Sequence, residues 1–206
     1  MPSTINFTVS PNQPIFTKES NLEFTFSAQG NPDPTLTLAR KGRNETLTNA
    51  QAGHNETLTN VHEAVLSYKR DSLGCLDTGV YICSGQNFQG SVEHESGIGV
   101  RCPHQLSQSF TPPAVVDVIV GETVHTQIEL YGFPEPTTLL LQRMTDTTNL
   151  TSSRRHVVSY TGKSPPFGLV RVTFSDTVML DVANDSLTIS NGVRDLVYSF
   201  FLNGGE

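Results

Sequence analysis

The chain has 206 residues, a formal net charge of −7, three cysteines and no tryptophan. That length suits two domains of roughly 100 residues, and the acidic balance argues against a nucleic-acid partner, which would require a basic patch. No apolar run reaches the roughly 18 residues of a membrane span, and without a long 3.6-residue apolar period the composition predicts an all-β chain.

The first residues, MPSTINFTVSP, are polar and carry no secretory signal. They read as the start of a mature ectodomain fragment whose signal peptide and any membrane anchor lie elsewhere. Ile5 to Phe16 predicts an edge strand interrupted by proline. From Leu22 to Gly30, Leu22, Phe24 and Phe26 alternate with Glu23, Thr25 and Ser27, the pattern of a half-buried strand. GNPDPT then leads from Gly30 into a strand at Thr35. NETLTN at Asn44 recurs at Asn55, a spacing too short for a solenoid, so this part reads as an extended region between strands. Glu63 to Arg70, Gly79 to Asn87 and Val92 to Arg101 read as strands, with Asn87 to Gly90 as a turn.

The stretch that organises the rest is Asp77-Thr78-Gly79-Val80-Tyr81-Ile82-Cys83. It resembles the D-x-G-x-Y-x-C signature of the immunoglobulin (Ig) superfamily, which marks the E–F corner and the F strand of a β-sandwich. The resemblance implies a tyrosine corner built from Asp77, Gly79 and Tyr81, the Tyr81 hydroxyl bonding back to the backbone upstream. Gly79 is expected to relieve crowding there, and Tyr81 and Cys83 to share the core face. Laid on the family pattern, Phe26 takes the B-strand cysteine position and Leu38 the C-strand tryptophan position. The usual inter-sheet disulfide therefore cannot form, and Cys83 becomes a free buried thiol. A hairpin centred on Phe88-Gln89 sets Cys75 across from Cys102, within bridging reach. The alternative is three unrelated thiols. The arrangement also resembles Ig modules of invertebrate cell-surface proteins, mollusc- or lancelet-like, and a Cys75–Cys102 disulfide would imply an oxidising compartment.

Cys102-Pro103 reads as the start of a short linker, giving domains at 1–103 and 104–206, both Ig-like sandwiches. GNPDPT at Gly30 recurs as GFPEPT at Gly132. That register places Ile128 and Leu140 in the core and turns Leu139 and Leu141 outward. The stretch from Leu187 to Gly204 resembles an E strand, a corner and an F strand, with Tyr198 two residues before Phe200. On this reading the second domain has no cysteine and no visible G strand.

Five N-x-S/T sequons, at Asn6, Asn44, Asn55, Asn149 and Asn184, are candidate sites of N-linked glycans. Val80 and Ile82 on the F strand and Thr35 and Thr37 on the C strand alternate outward, forming a mildly apolar candidate face for a protein partner. Leu139 and Leu141 offer a rival face. The six histidines lack metal-ligand spacing, His62-Glu63 has no second histidine four residues on, and neither G-x-S-x-G nor a phosphate-cradling loop occurs. No catalysis, metal or cofactor is expected. Arg154-Arg155-His156 is too short to suggest a heparin-type patch. The layout resembles junctional-adhesion-type and immune-receptor ectodomains. That implies an extracellular, cell-surface protein of adhesion or immunity, recognising a homophilic or heterophilic partner or a pathogen ligand by surface complementarity. A secreted humoral binding protein, lectin-like or inhibitory, is one alternative; a structural Ig segment of a larger protein is another.

Overall fold

The computed structural model describes residues 2, 4–41, 56–61, 65–108, 110–151, 153–178 and 181–205. They divide into two compact units, Met1–Arg101 and Cys102–Glu206. The division falls two residues before the expected domain boundary, and the expected linker is itself strand. The first unit holds β1 (Thr4–Ser10), β2 (Ile15–Thr17), β3 (Leu22–Gln29), β4 (Thr35–Arg40), β5 (Glu56–Val61), β6 (Val65–Arg70), β7 (Gly79–Asn87) and most of β8 (Gly90–Leu106). One sheet runs β1-β3-β6; the other runs β5-β4-β7-β8, with β2 parallel to β8. β5 is the second NETLTN copy from Glu56 onward, while Asn44 and Asn55 lie outside the described residues.

Strict alternation drives this packing. In β3, Leu22, Phe24, Phe26 and Ala28 are buried while the residues between them are half-exposed. Together with Phe16, Leu36, Leu38, Leu66, Cys83 and Val100 they fill the space between the sheets. Each large apolar side chain withdrawn from water stabilises the fold by roughly 1.5–3 kcal/mol.

The second unit comprises β9 (Val115–Ile119), β10 (Val124–Phe133), β11 (Thr138–Arg143), β12 (His156–Gly162), β13 (Phe167–Phe174), β14 (Asn184–Ser190) and β15 (Asp195–Gly205). The end of β8 pairs with β10, Leu106 facing Leu130 and Cys102 facing Phe133. One sheet is the end of β8, then β10, β13 and β12; the other runs β11-β14-β15-β9. Its core gathers Ile128, Leu130, Leu141, Val170, Val172, Phe174, Leu187, Ile189, Phe200 and Leu202.

This topology corrects the expected strand assignment. β14, not an upstream E strand, holds Leu187, and the E role falls to β13, which pairs with β10. Asn191 to Arg194 is a hairpin turn, with Ser190 facing Asp195 and Gly192 at φ +75. The strand that follows, β15, is the G strand that seemed missing, and parallel pairing with β9 covers its far edge. Tyr198 therefore makes no corner; its hydroxyl donates to the Pro113 carbonyl.

The core register of β11 is also corrected. Leu141 is fully buried and Leu140 half-buried, the reverse of the GxPxPT expectation, and Leu139 packs partly against the core. β4 begins at Thr35, whereas β11 begins one position later in the repeat, at Thr138. A one-residue slip exchanges the faces of a strand. Leu141 thus faces Leu187 across the sheet as Leu38 faces Cys83. Ile128 does take the position of Phe26: both are buried, facing Val170 and Leu66.

Candidate recognition surface of the first unit

The surface rests on the turn before β7. Residues Cys75–Asp77 form one 3-10 turn, closed where the Gly74 amide donates to Asp77 Oδ2 at 2.7 Å. The Tyr81 hydroxyl donates to the Asp77 carbonyl at 2.8 Å. Burial, only partly offset by Arg40, pushes the Tyr81 pKa up to about 12, so the phenol stays a donor. Asp77 also lies 3.9 Å from Arg40 and 3.5 Å from Arg70. Thr78 Oγ1 accepts from the Val100 amide at 2.9 Å, tying the turn to β8. Gly79 is not there for lack of room, since a Cβ would meet Arg40 Cδ at an ordinary 3.4 Å.

Cys75 and Cys102 are disulfide-bonded, and Cys83 is free and buried. Burial pushes the Cys83 pKa up to about 12, so it is an inert apolar filler at neutral pH.

On the outer side of β4, β7 and β8, the expected apolar face is mostly polar. Ile82 is buried, with 8% of its surface exposed, and Val80, Thr35 and Thr37 are half-buried. Lys41 and Glu95, on the strands flanking β7, meet at 2.9 Å beside Val80 and Ile82. Thr37, Ser84 and Glu93 form the next row, and Thr35, Gln86 and Ser91 the last before the tip. What is open to a partner here is hydroxyl, amide and carboxylate.

The apolar element stands at the tip. Phe88, in the β7–β8 turn, is 83% exposed, more than any other large hydrophobic side chain among the described residues. Its hairpin is braced: Asn87 Nδ2 donates to the Pro32 carbonyl at 2.8 Å, and Asn87 Oδ1 accepts from the Gln89 amide at 2.9 Å. Gly30 leaves room for this, because a Cβ would lie 3.0 Å from Asn87 Nδ2. Sequence reading passed over Phe88 as a turn residue, although an aromatic side chain where Gly, Asn or Asp is favoured was a visible signal. Exposed Asp33 belongs to the same end of the sandwich, and no lysine or arginine occurs from Gln29 to Thr35 or from Gln86 to Glu93.

Among solved structures, the complex of Dpr2 Ig1-Ig2 with DIP-Theta Ig1-Ig3 contains a chain similar to this one over 98% of its length, with TM-score 0.66 and 18% identity. A tandem pair of titin Ig domains matches 98% of the chain with TM-score 0.64 and 13% identity. The fold is a tandem of immunoglobulin domains. A second titin fragment agrees at TM-score 0.55 and 16% identity. The chain spans 65% of the Dpr2/DIP-Theta chain and 99% of each titin fragment. No protein-family model matches the sequence.

In Ig terms, β7 and β8 are the F and G strands of the first domain, β4 its C strand and Phe88 the tip of its F–G turn. The second domain carries a corner of its own at Asp181 to Leu187. Asp181 Oδ2 accepts from the Val178 amide at 2.8 Å, as Asp77 does from Gly74. Asp185 occupies the place of Tyr81, facing Arg143 as Tyr81 faces Arg40. Of the expected sequons, Asn6, Asn149 and Asn184 are exposed. Among the described residues, no cluster of three His, Cys, Asp or Glu side chains could hold a metal ion, and no helix is long and apolar enough to cross a membrane.

Proposed function

We propose that this chain is an extracellular recognition module, adhesive or immune, that grips a protein partner with the F–G tip and polar G-F-C face of its first domain. The observation that carries this reading is Phe88, held 83% exposed on a hairpin braced to the B–C loop. An aromatic side chain presented rigidly enters a partner's pocket with little ordering cost, and such residues dominate binding energy at interfaces. Exposed Glu93, beside Thr37 and Ser84, supplies a polar, acidic rim that favours a partner with basic groups around an apolar pocket. The bonded cysteine pair fits an oxidising compartment. An Ig chain of similar fold in complex with another Ig chain supports contact of the Ig-to-Ig kind. The mechanism is surface complementarity; nothing in it requires a chemical step.

Sedimentation equilibrium across a wide concentration range, paired with flow cytometry on cells of the source organism, tests the proposal. A reversible dimer lost in Phe88→Ser identifies a homophilic adhesion module. A monomer that stains cells, and stops doing so in Phe88→Ser, identifies a receptor for a different ligand. A monomer that binds no cell overturns the recognition role, and binding indifferent to Phe88→Ser removes the tip from it.

A further inference from the structure

The second domain leaves the outer face of its β11-β14-β15-β9 sheet partly apolar. Along β15, Phe200 and Leu202 turn inward, so Val197 and Phe201 turn outward. Val197 is 60% exposed, and Val115, which faces Phe201 from β9, is 51% exposed. From β14, the residue facing Phe201 on its other side is Asn184. Asp185 beside it is buried, so Asn184 points out on the same face as Phe201 and is itself exposed. Asn184-Asp185-Ser186 is an N-x-S sequon.

We propose that Asn184 carries an N-linked glycan whose first sugar packs on the Phe201 ring and covers the apolar patch formed with Val115. The inference rests on the extracellular reading above and goes further by assigning one sequon a structural task. Cross-strand neighbours have Cβ atoms only about 4.5–5.5 Å apart, so a sugar amide-linked to Asn184 starts beside the ring. An aromatic face carries partial negative charge and attracts polarised C–H bonds, which a pyranose presents along one side. The sugar thereby shields from water a patch that a polar coat would otherwise leave open. Asn6 and Asn149 lack this arrangement. Asn6 faces Ser27, and Asn149 sits in a turn where its Oδ1 accepts from the Thr151 amide. A second copy of the chain could also cover an apolar face, but the sugar attachment point lies within this one.

The test is secretion of the chain from a glycosylating host, glycopeptide mapping, and thermal melts before and after enzymatic trimming. The expected result is an occupied Asn184. Trimming to the first sugar should leave Tm unchanged, and complete removal should lower it by a few degrees. In Phe201→Ser the difference between the trimmed and fully deglycosylated forms should vanish. An empty Asn184 with any of the other four sequons occupied overturns this inference and leaves the extracellular reading standing; all five empty overturns both. A loss on complete removal that persists unchanged in Phe201→Ser, or a glycosylated dimer broken by Val115→Asp, also overturns it, the latter because a second copy then covers the patch.

Discussion

The two E–F corners share a capping aspartate and differ in chemistry. In each, an aspartate caps the turn by accepting the amide three residues back, Gly74 to Asp77 at 2.7 Å and Val178 to Asp181 at 2.8 Å. In each, the C strand contributes an arginine, Arg40 or Arg143, facing the corner's fourth residue on. That residue is Tyr81 in the first domain and Asp185 in the second. Tyr81 is long enough to return its hydroxyl to the Asp77 carbonyl, and its ring packs, tilted, 4.8 Å from that of Phe24, adding apolar contact. Asp185 is too short to do either. It lies fully buried, 3.5 Å from Arg143 Nε, in a cluster where Arg143 and Arg155 also approach Asp181, at 3.7 and 3.3 Å. His156 Nε2 stands 3.8 Å from Asp181. Both corners pair their capping aspartate with the C-strand arginine; the first adds a neutral tyrosine hydrogen bond, and the second a further carboxylate that is fully buried. Buried charge is stabilising only while every partner is present.

The largest way to break the symmetry is Arg143→Met, which strands Asp185 in the interior while Asp181 keeps Arg155, His156 and the Val178 amide. It should cost the second domain about 3–5 kcal/mol. Hydrogen exchange should show this in peptides from β14 and leave those from β7 unchanged; equal loss in both would refute the comparison. Cys75→Ser should cost roughly 2–4 kcal/mol, read from denaturant melts and faster exchange in β7.

The pH response follows from Asp185, whose pKa burial raises to about 6 against the opposing pull of Arg143. Between the unfolded carboxyl value, about 3.9, and that figure, the native state holds a proton that the unfolded state has lost. Second-domain stability contributed by this group therefore falls as pH rises from about 4 to 6, on the order of 3 kcal/mol in all. Arg143, Arg155, Asp181 and Asp146 share the field, and burial lowers the His156 pKa, which opposes the trend by disfavouring acid. Subtracting the profile of Asp185→Asn isolates the carboxylate; a flat difference would deny the shift. Tyr81→Phe, which removes one hydrogen bond but keeps the ring, should cost about 1 kcal/mol in the first domain. Phe88→Ser should change stability by no more than about 0.5 kcal/mol, because the side chain contributes to binding rather than folding.

Much of the first domain could be read directly. Asp77 to Cys83 displays its signature in an unbroken run, and strong alternation in β3 announces the facing core. In the second domain the same corner spells Asp181, Ala183, Asp185 and Leu187 where the first has Asp77, Gly79, Tyr81 and Cys83. With tyrosine and cysteine both replaced, the eye moves to Tyr198 and Phe200, which satisfy a local pattern from the wrong strand. The extra residue before β11 had a similar effect, turning Leu140 out and Leu141 in. On the first domain's outer face, alternation turned Ile82 outward, but it could not show that the side chain is buried.

What the sequence determined by itself is the all-β character, the two-domain repeat and the first tyrosine corner, because these rest on local periodicity and on residues close together in the chain. Only the tertiary structure decided which strand is the last in the second domain, that Asp185 stands where a tyrosine would, that Phe88 is presented at the tip, and that Asn184 meets Phe201. Each of these depends on strand pairing between distant segments. Pairing is selected by which whole set of side chains can be buried together, and no short window of the chain contains that choice.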